Sequence, residues 1–352
     1  MALVLFIAAG LWGLGMALRT PKPVRWAMIG LLWLAVIGLH LLLPEGHGMR
    51  MATGESAALW LILGGGVAIV LAYRAGLRWL KAKAALSDAP QTGTFSTTEL
   101  ERYARHIVLH EIGGPGQKAL KNARILVIGA GGLGSPALLY LAAAGVGTIG
   151  VIDDDEVDNS NLQRQVIHRD ADIGSPKALS AARAMKAQNP HITARPYARR
   201  LTADIASDLF AEYDLILDGS DNFDTRYLVN SAAYSCSKPL ISGALSQWEG
   251  QLSVFDPARG APCYQCIFPQ APAAGLAPSC AEAGVLGPLP GVVGAMMAAE
   301  AIKLITNAGT PLRGEMLIYD ALYGESRKFS LKPRADCPVC GDKGHADEPA
   351  AG

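Results

Sequence analysis

Three nearly charge-free apolar runs open this 352-residue chain: Ala2 to Leu18, Trp26 to Leu43 and Ala57 to Tyr73. Each is about 17–18 residues long, at the short end of what crosses a bilayer core of about 30 Å. His40 is the only titratable side chain well inside one of them. Helices apolar on every face do not suit the surface of a soluble domain. Met1-Ala2-Leu3-Val4 lacks the basic start of a cleaved signal peptide. The runs therefore read as three transmembrane helices. Arg19, Lys22 and Arg25 follow the first run, and Arg74, Arg78, Lys81 and Lys83 follow the third, whereas the second loop holds Glu45, Glu55 and only Arg50. The positive-inside rule then puts the N-terminus outside and everything after Tyr73 in the cytoplasm, at an inner (cytoplasmic) membrane crossed several times. His40 sits near a span end and reads as a side chain reaching for the interface.

Beyond the runs the chain changes character. Overall charge is balanced, 31 basic against 31 acidic residues, which argues against nucleic acid as a partner. Ser87 to Thr94 is small, polar and Pro/Gly-bearing, the composition of a linker. Ser96-Thr97-Thr98-Glu99 has the spacing of a capping box, so a helix is expected to start there. This divides the chain into a membrane segment (1–86), a linker (87–98), a soluble domain (99–342) and a flexible tail (343–352). Short β-rich runs at Arg124–Gly129, Thr148–Asp153, Tyr213–Asp218, Pro239–Ser242 and Gln251–Phe255 alternate with helix-like stretches. Such alternation predicts an α/β, Rossmann-like fold: a mainly parallel sheet flanked by helices.

Gly129-Ala130-Gly131-Gly132-Leu133-Gly134 follows the first predicted strand and opens a helix, the context in which G-x-G-x-x-G binds a nucleotide. Glycines let backbone approach phosphate, and the helix N-terminus supplies partial positive charge. Asp153, about 20 residues on at the end of the next strand, stands where a ribose-binding acid belongs. This much fits NAD as well as ATP. Arg164 in Ser160-Asn161-Leu162-Gln163-Arg164-Gln165 and Lys177 after Gly174-Ser175-Pro176 add two cations, and Asp221 follows another strand at the sheet's carboxyl edge. Two cations, a glycine cradle and an acid suited to Mg²⁺ are what a triphosphate needs. The motif G-x-x-x-x-G-K-[ST] is absent from the sequence, which excludes a P-loop enzyme. Asp154, Glu156 and Asp158 read as a solvated loop.

Six cysteines are present, and four form two C-x-x-C pairs: Cys263 with Cys266, and Cys337 with Cys340. In a cytoplasmic domain this pattern points to a structural Zn²⁺ site that clamps the C-terminus onto the domain. Cys236, on an Ala-rich helix, reads as core.

Together, Arg102-Tyr103-Ala104-Arg105-His106, the glycine loop, Ser160 to Gln165, Gly174 to Lys177 and Asp218-Gly219-Ser220-Asp221-Asn222 resemble the MoeB/ThiF/HesA family of ubiquitin-activating-enzyme-like adenylyltransferases. The resemblance runs from about Leu100 to Gly341 and is strongest to the molybdopterin-synthase adenylyltransferases. It implies that Gly131 and Gly132 approach the nucleotide, with Ser160, Leu162 and Gln163 beside it. Asp153 would hold the ribose, Asn161, Arg164 and Lys177 the phosphates, and Asp221 the Mg²⁺ with Asn222 alongside. Arg105 matches an arginine that the family supplies from a partner subunit, which implies a homodimer; Ala104, where the family often has Asn, is a departure. The family has a structural zinc at the four cysteines and places a cysteine at the position of Cys280 that forms adducts with the carrier. An ordinary buried thiol is the other reading of Cys280.

The function expected from the resemblance is ATP-dependent adenylation of the C-terminal glycine of a small ubiquitin-like sulfur-carrier protein ending in Gly-Gly, serving molybdopterin or thiamine synthesis. No sulfurtransferase-like stretch follows Gly341, so a separate sulfur donor protein is expected. Two rivals remain at this stage: an NAD-binding Rossmann oxidoreductase, and a non-catalytic membrane scaffold for a carrier.

Overall fold

The computed structural model describes residues 2–54, 56–85, 94–272 and 283–341. The chain divides into two compact units, Met1–Thr92 and Gly93–Gly352.

The first unit is helical: α1 (Ala2–Ala17), α2 (Lys22–Leu42), the short α3 (Gly48–Thr53) and α4 (Ala57–Ala85). The three apolar runs thus become α1, α2 and α4. The helix α2 and the run Gly48–Trp79 are long and apolar enough to cross a membrane, whereas α1 has 16 residues. At 1.5 Å per residue α1 spans only about 24 Å. A small core joins Val4, Val36 and Trp60. His40 departs from its expected place at an interface. It is buried, its Nε2 lies 3.1 Å from Thr53 Oγ1, and Trp60 donates its indole N–H to the Thr53 carbonyl. The α3 turn, unforeseen in the sequence, supplies this polar partner and turns the imidazole inward.

The second unit opens with α5 (Thr97–Ile107), whose capping box forms as expected: Glu99 N–H donates to Ser96 Oγ, and Ser96 N–H to the Glu99 carboxylate. After α6 (Gly113–Asn122) come β1 (Arg124–Ile128), α7 (Gly134–Ala144), β2 (Thr148–Ile152), α8 (Lys177–Gln188), β3 (Thr193–Tyr197), α9 (Ala203–Ala211), β4 (Leu215–Asp218), α10 (Phe223–Ser235), β5 (Leu240–Leu245) and β6 (Glu249–Phe255). The short α11 (Tyr264–Ile267), α12 (Pro288–Thr306), β7 (Glu315–Asp320) and β8 (Glu325–Ser330) complete it. The eight strands form one sheet in the order β3-β2-β1-β4-β5-β6-β7-β8, parallel through β5 and antiparallel beyond. One apolar core, including Ile125, Leu138, Met185 and Met297, covers one face of the sheet, and another, including Phe210, Tyr213 and Val229, covers the other. This is the Rossmann-like sheet expected.

The helix α12 is also long and apolar enough to span a membrane, but it packs on α7, β5 and β6, with Leu289, Val293, Met297 and Ala301 in the core. Its hydrophobicity is that of a buried helix inside the domain. The strand order reverses between β1 and β4, which opens a crevice at their carboxyl ends, the place where such sheets bind ligands.

Candidate active site

The glycine loop lines one side of that crevice. Gly129 has φ +90°, a conformation that favours glycine, and it sits against the backbone of Gly219. A side chain at Gly134 would run into the Gly129 carbonyl, so the turn into α7 closes only with glycine there. Asp153, at the end of β2, accepts the Ala130 N–H at 2.7 Å through Oδ2 and the Asp155 N–H at 2.9 Å through Oδ1. Burial raises its carboxyl above the ordinary aspartate value, against the pull of those two amides and of Lys177. A carboxylate has about four acceptor sites, so capacity remains for sugar hydroxyls.

The segment after Asp153 folds back over the glycine loop. Asp158 caps a single 3-10 turn, Asn159–Asn161, by accepting the Ser160 N–H. Arg164 Nη2 donates to Asn161 Oδ1 at 2.8 Å and Nη1 to the Ser160 carbonyl at 3.2 Å, which fixes the guanidinium along this turn. The arginine's stem borders Gly132, and Gln165 Nε2 borders Gly131. Gln163 reaches Gly287, ahead of α12, and Leu162 is half-buried. Lys177 is 5% exposed, and its ammonium pairs with Asp155 at 2.7 Å. Asp154, Glu156 and Asp158 are exposed, as a solvated loop should be.

Across the crevice, Asp218 ends β4 buried and accepts both the N–H and hydroxyl of Ser220. Arg226 on α10 locks this turn, donating to Ser242 Oγ at 3.0 Å and to the carbonyls of Gly243 and Ser220, with Asp218 Oδ2 at 3.6 Å. Asp221 is exposed on the loop so braced. Arg226 is not legible in the sequence, because no local pattern separates an arginine that anchors a loop from one on a solvated helix face. Asn222 is engaged otherwise than expected: its Oδ1 accepts the Thr225 N–H and caps α10.

Arg105 is not brought to the crevice of its own chain. It lies exposed in a cleft of about 400 Å³ with Arg102, Tyr140, Ala144 and Ala298, beside the last turn of α7. The glycine loop opens the same helix at its other end: Tyr140 and Ala144 lie 6 and 10 residues after Gly134, about 9 and 15 Å along the axis. Cys280 lies outside the described residues. Cys236, half-buried at the end of α10, packs against the second apolar core and donates its thiol to the Ser207 carbonyl.

The four paired cysteines converge. Sγ separations are 3.8 Å for Cys263–Cys266, 3.5 Å for Cys263–Cys337 and 3.3 Å for Cys266–Cys340. Four thiolates at about 2.3 Å from a tetrahedral zinc stand about 3.8 Å apart, so the donor set fits that ion. Burial pushes the thiols of Cys263 and Cys340 up, Cys340 to about 11. Burial opposes ionisation of Cys337 too, yet the backbone amides of Cys340 and Val339 bring it down to about 7. The thiols of Cys263 and Cys340 need a cation to ionise at neutral pH.

Residues 103–339 match the ThiF family model. The chain is 50% identical over 249 residues to the sulfur carrier protein adenylyltransferase of Thermus thermophilus, covering 70% of this chain and 92% of that one. It is 53% identical over 246 residues to a probable adenylyltransferase/sulfurtransferase, MoeZ, of Mycobacterium tuberculosis, covering 69% of this chain and 63% of that one. The crystal structure of E. coli MccB with ATP superposes with a TM-score of 0.58 at 25% identity, covering 68% of this chain and 74% of that one. The second unit is thus an adenylyltransferase-type nucleotide domain. The chain belongs to the ThiF family.

Proposed function

We propose that this protein adenylates the C-terminal glycine carboxylate of a small ubiquitin-like sulfur-carrier protein at the expense of ATP. The observation that carries the reading is the crevice between β1 and β4, where the glycine loop, held by Asp153, meets the loop after β4 with Gly129 against Gly219. The Thermus thermophilus relative, named for the same chemistry, supports the choice of substrate. A carboxylate oxygen of the carrier attacks the α-phosphorus of ATP. The bond from that phosphorus to the bridging oxygen breaks, and pyrophosphate leaves.

The chain's own contribution is positioning and charge. The glycine loop receives the nucleotide, and Asp153 takes the ribose with its free acceptor sites. Arg164 and Lys177 face the phosphates, Lys177 exchanging its pairing with exposed Asp155 for the nucleotide. Asp221 would hold the Mg²⁺ that accompanies ATP, an ion that supplies neutralising charge. Zn²⁺ on Cys263, Cys266, Cys337 and Cys340 would be structural. Arg105, which lines a separate cleft, serves the site of a second copy in a homodimer. Cys280 is assigned the adduct-forming role. A separate protein supplies sulfur.

The two units correspond to a membrane segment and a cytoplasmic enzyme joined by a linker. The first unit anchors the domain at the inner membrane through α1, α2 and α4, with Arg74, Arg78, Lys81 and Lys83 on the cytoplasmic side. Carrier-dependent exchange of labelled pyrophosphate into ATP tests the reaction; a chain that binds NADH and exchanges no pyrophosphate would refute it.

A further inference from the structure

Ala130 is held from both sides. Asp153 accepts its N–H, and its carbonyl lies 2.9 Å from His168 Nε2. His168 is 6% exposed, and its other ring nitrogen lies 2.9 Å from Ser180 Oγ, in the first turn of the helix that begins at Lys177. A carbonyl only accepts, so Nε2 carries the hydrogen. Burial holds the ring below the ordinary histidine value of 6.5, and the charge of nearby Lys177 lowers it further, against the pull of the Ala130 carbonyl and Asp172. The Ser180 hydroxyl, 2.9 Å from Nδ1, donates its own hydrogen to Asp172 Oδ2 at 3.1 Å. Asp172 also accepts from Arg183 Nη2 at 2.8 Å and from the Arg169 N–H at 3.2 Å.

We propose that His168 is a positioning residue for the nucleotide, tying the glycine loop to the helix of Lys177 so that loop amides and ammonium meet the triphosphate in a fixed relation. The proposal rests on the ATP site described above. Without the Nε2–H, the Ala130 carbonyl keeps only the longer hydrogen bond from the Ser135 hydroxyl at 3.4 Å, and its peptide is freer to turn. With it, Asp153 and His168 hold the two peptide units on either side of the Ala130 Cα, one by its N–H and the other by its carbonyl, and Ser180 carries the restraint to α8.

The test compares His168→Gln, His168→Asn and His168→Ala in the full chain, with Mg-ATP alone as the binding probe and pyrophosphate exchange as the assay. Gln reaches the ε position with an N–H; Asn offers a polar group only at the δ position. His168→Ala and His168→Asn should weaken ATP binding on the order of 10-fold, the scale of one buried hydrogen bond. KM for ATP should rise in parallel, with kcat nearly unchanged. His168→Gln should stay within a few-fold of wild type, and ring ¹⁵N shifts at pH 7 should show the proton on Nε2. Where His168→Ala fails to fold, the contrast between Gln and Asn decides. Equal losses in Gln and Asn, unaltered ATP binding in His168→Ala, or an Nε2 without its proton would each overturn the proposal. A wild-type chain that binds no Mg-ATP would overturn the nucleotide site itself, and the proposal with it.

Discussion

Asp153 Oδ2 lies 2.7 Å from the Ala130 amide nitrogen, so the acid at the end of β2 is part of the architecture of the glycine loop. Its second oxygen serves the Asp155 amide. Asp153→Ala should therefore damage the loop as well as the ribose contact. Hydrogen bonds to a charged group are worth about 1.5–3 kcal/mol each. The expected outcome is a lower melting temperature together with a rise in KM for ATP of at least about 10-fold, read by thermal unfolding and steady-state kinetics.

Asp221 shares none of that structural work. Asp221→Asn keeps the shape and removes the charge, so exchange should fall by on the order of 10²-fold, the scale of losing one electrostatic stabiliser, with melting unchanged. Full activity of the variant would remove Asp221 from the metal role.

Arg105 stands beside the far end of α7 from the glycine loop. Arg105→Ala should lose activity without losing ATP affinity in its own chain. Mixed dimers of Arg105→Ala and Asp221→Asn subunits should recover part of the activity, because one of the two sites then has both groups. No recovery in dimers shown to be mixed would contradict action across the interface.

The sulfur cluster joins α11 to the turn beyond β8, so metal removal should loosen the C-terminal part of the sheet. One zinc per chain should co-purify under reducing conditions. Cys337→Ser should release it and aggregate on mild heating, since structural zinc contributes folding energy directly. Metal analysis of the purified chain and calorimetry with and without chelator check both.

His168 gives the fold an acid sensitivity. In the unfolded chain the imidazole takes up its proton near 6.5, while burial keeps the folded ring neutral to lower pH. The unfolded state binds the proton first, so this contribution is present above pH 6.5 and is lost as pH falls toward the folded value. Wild type should lose stability relative to His168→Gln between pH 6.5 and 5, measured by denaturant unfolding of the two proteins side by side.

The parallel half of the sheet was legible because its strands are continuous apolar runs punctuated by glycine and aspartate. The strand β3 escaped notice: Thr193–Tyr197 contains Arg195 and Pro196, and proline is tolerated because this is an edge strand. The outer strand β8, Glu325–Ser330, is exposed at every position and carries no hydrophobic alternation. The glycine loop, Asp153, Arg164, Lys177 and the paired cysteines were visible through spacing and chemistry. Arg226 and His168 were not, since their roles come from contacts across 16 and 38 residues of chain. His40 reads in sequence as a group near a span end and gains its partner only through the turn of α3.

The anchor and the enzyme should separate. A chain beginning near Thr94 should be soluble, folded and active, and the first unit alone should partition into membranes. Loss of folding on truncation would make the apolar helices part of the enzyme's core.

The most direct measurement is the mass of a carrier protein ending in Gly-Gly, quenched in acid after incubation with this chain and Mg-ATP. A gain of one AMP on the terminal glycine is expected, strongly reduced with Asp221→Asn and absent when the carrier lacks its last residue. An unmodified carrier in the presence of demonstrated ATP binding would contradict adenylation as the reaction of this protein.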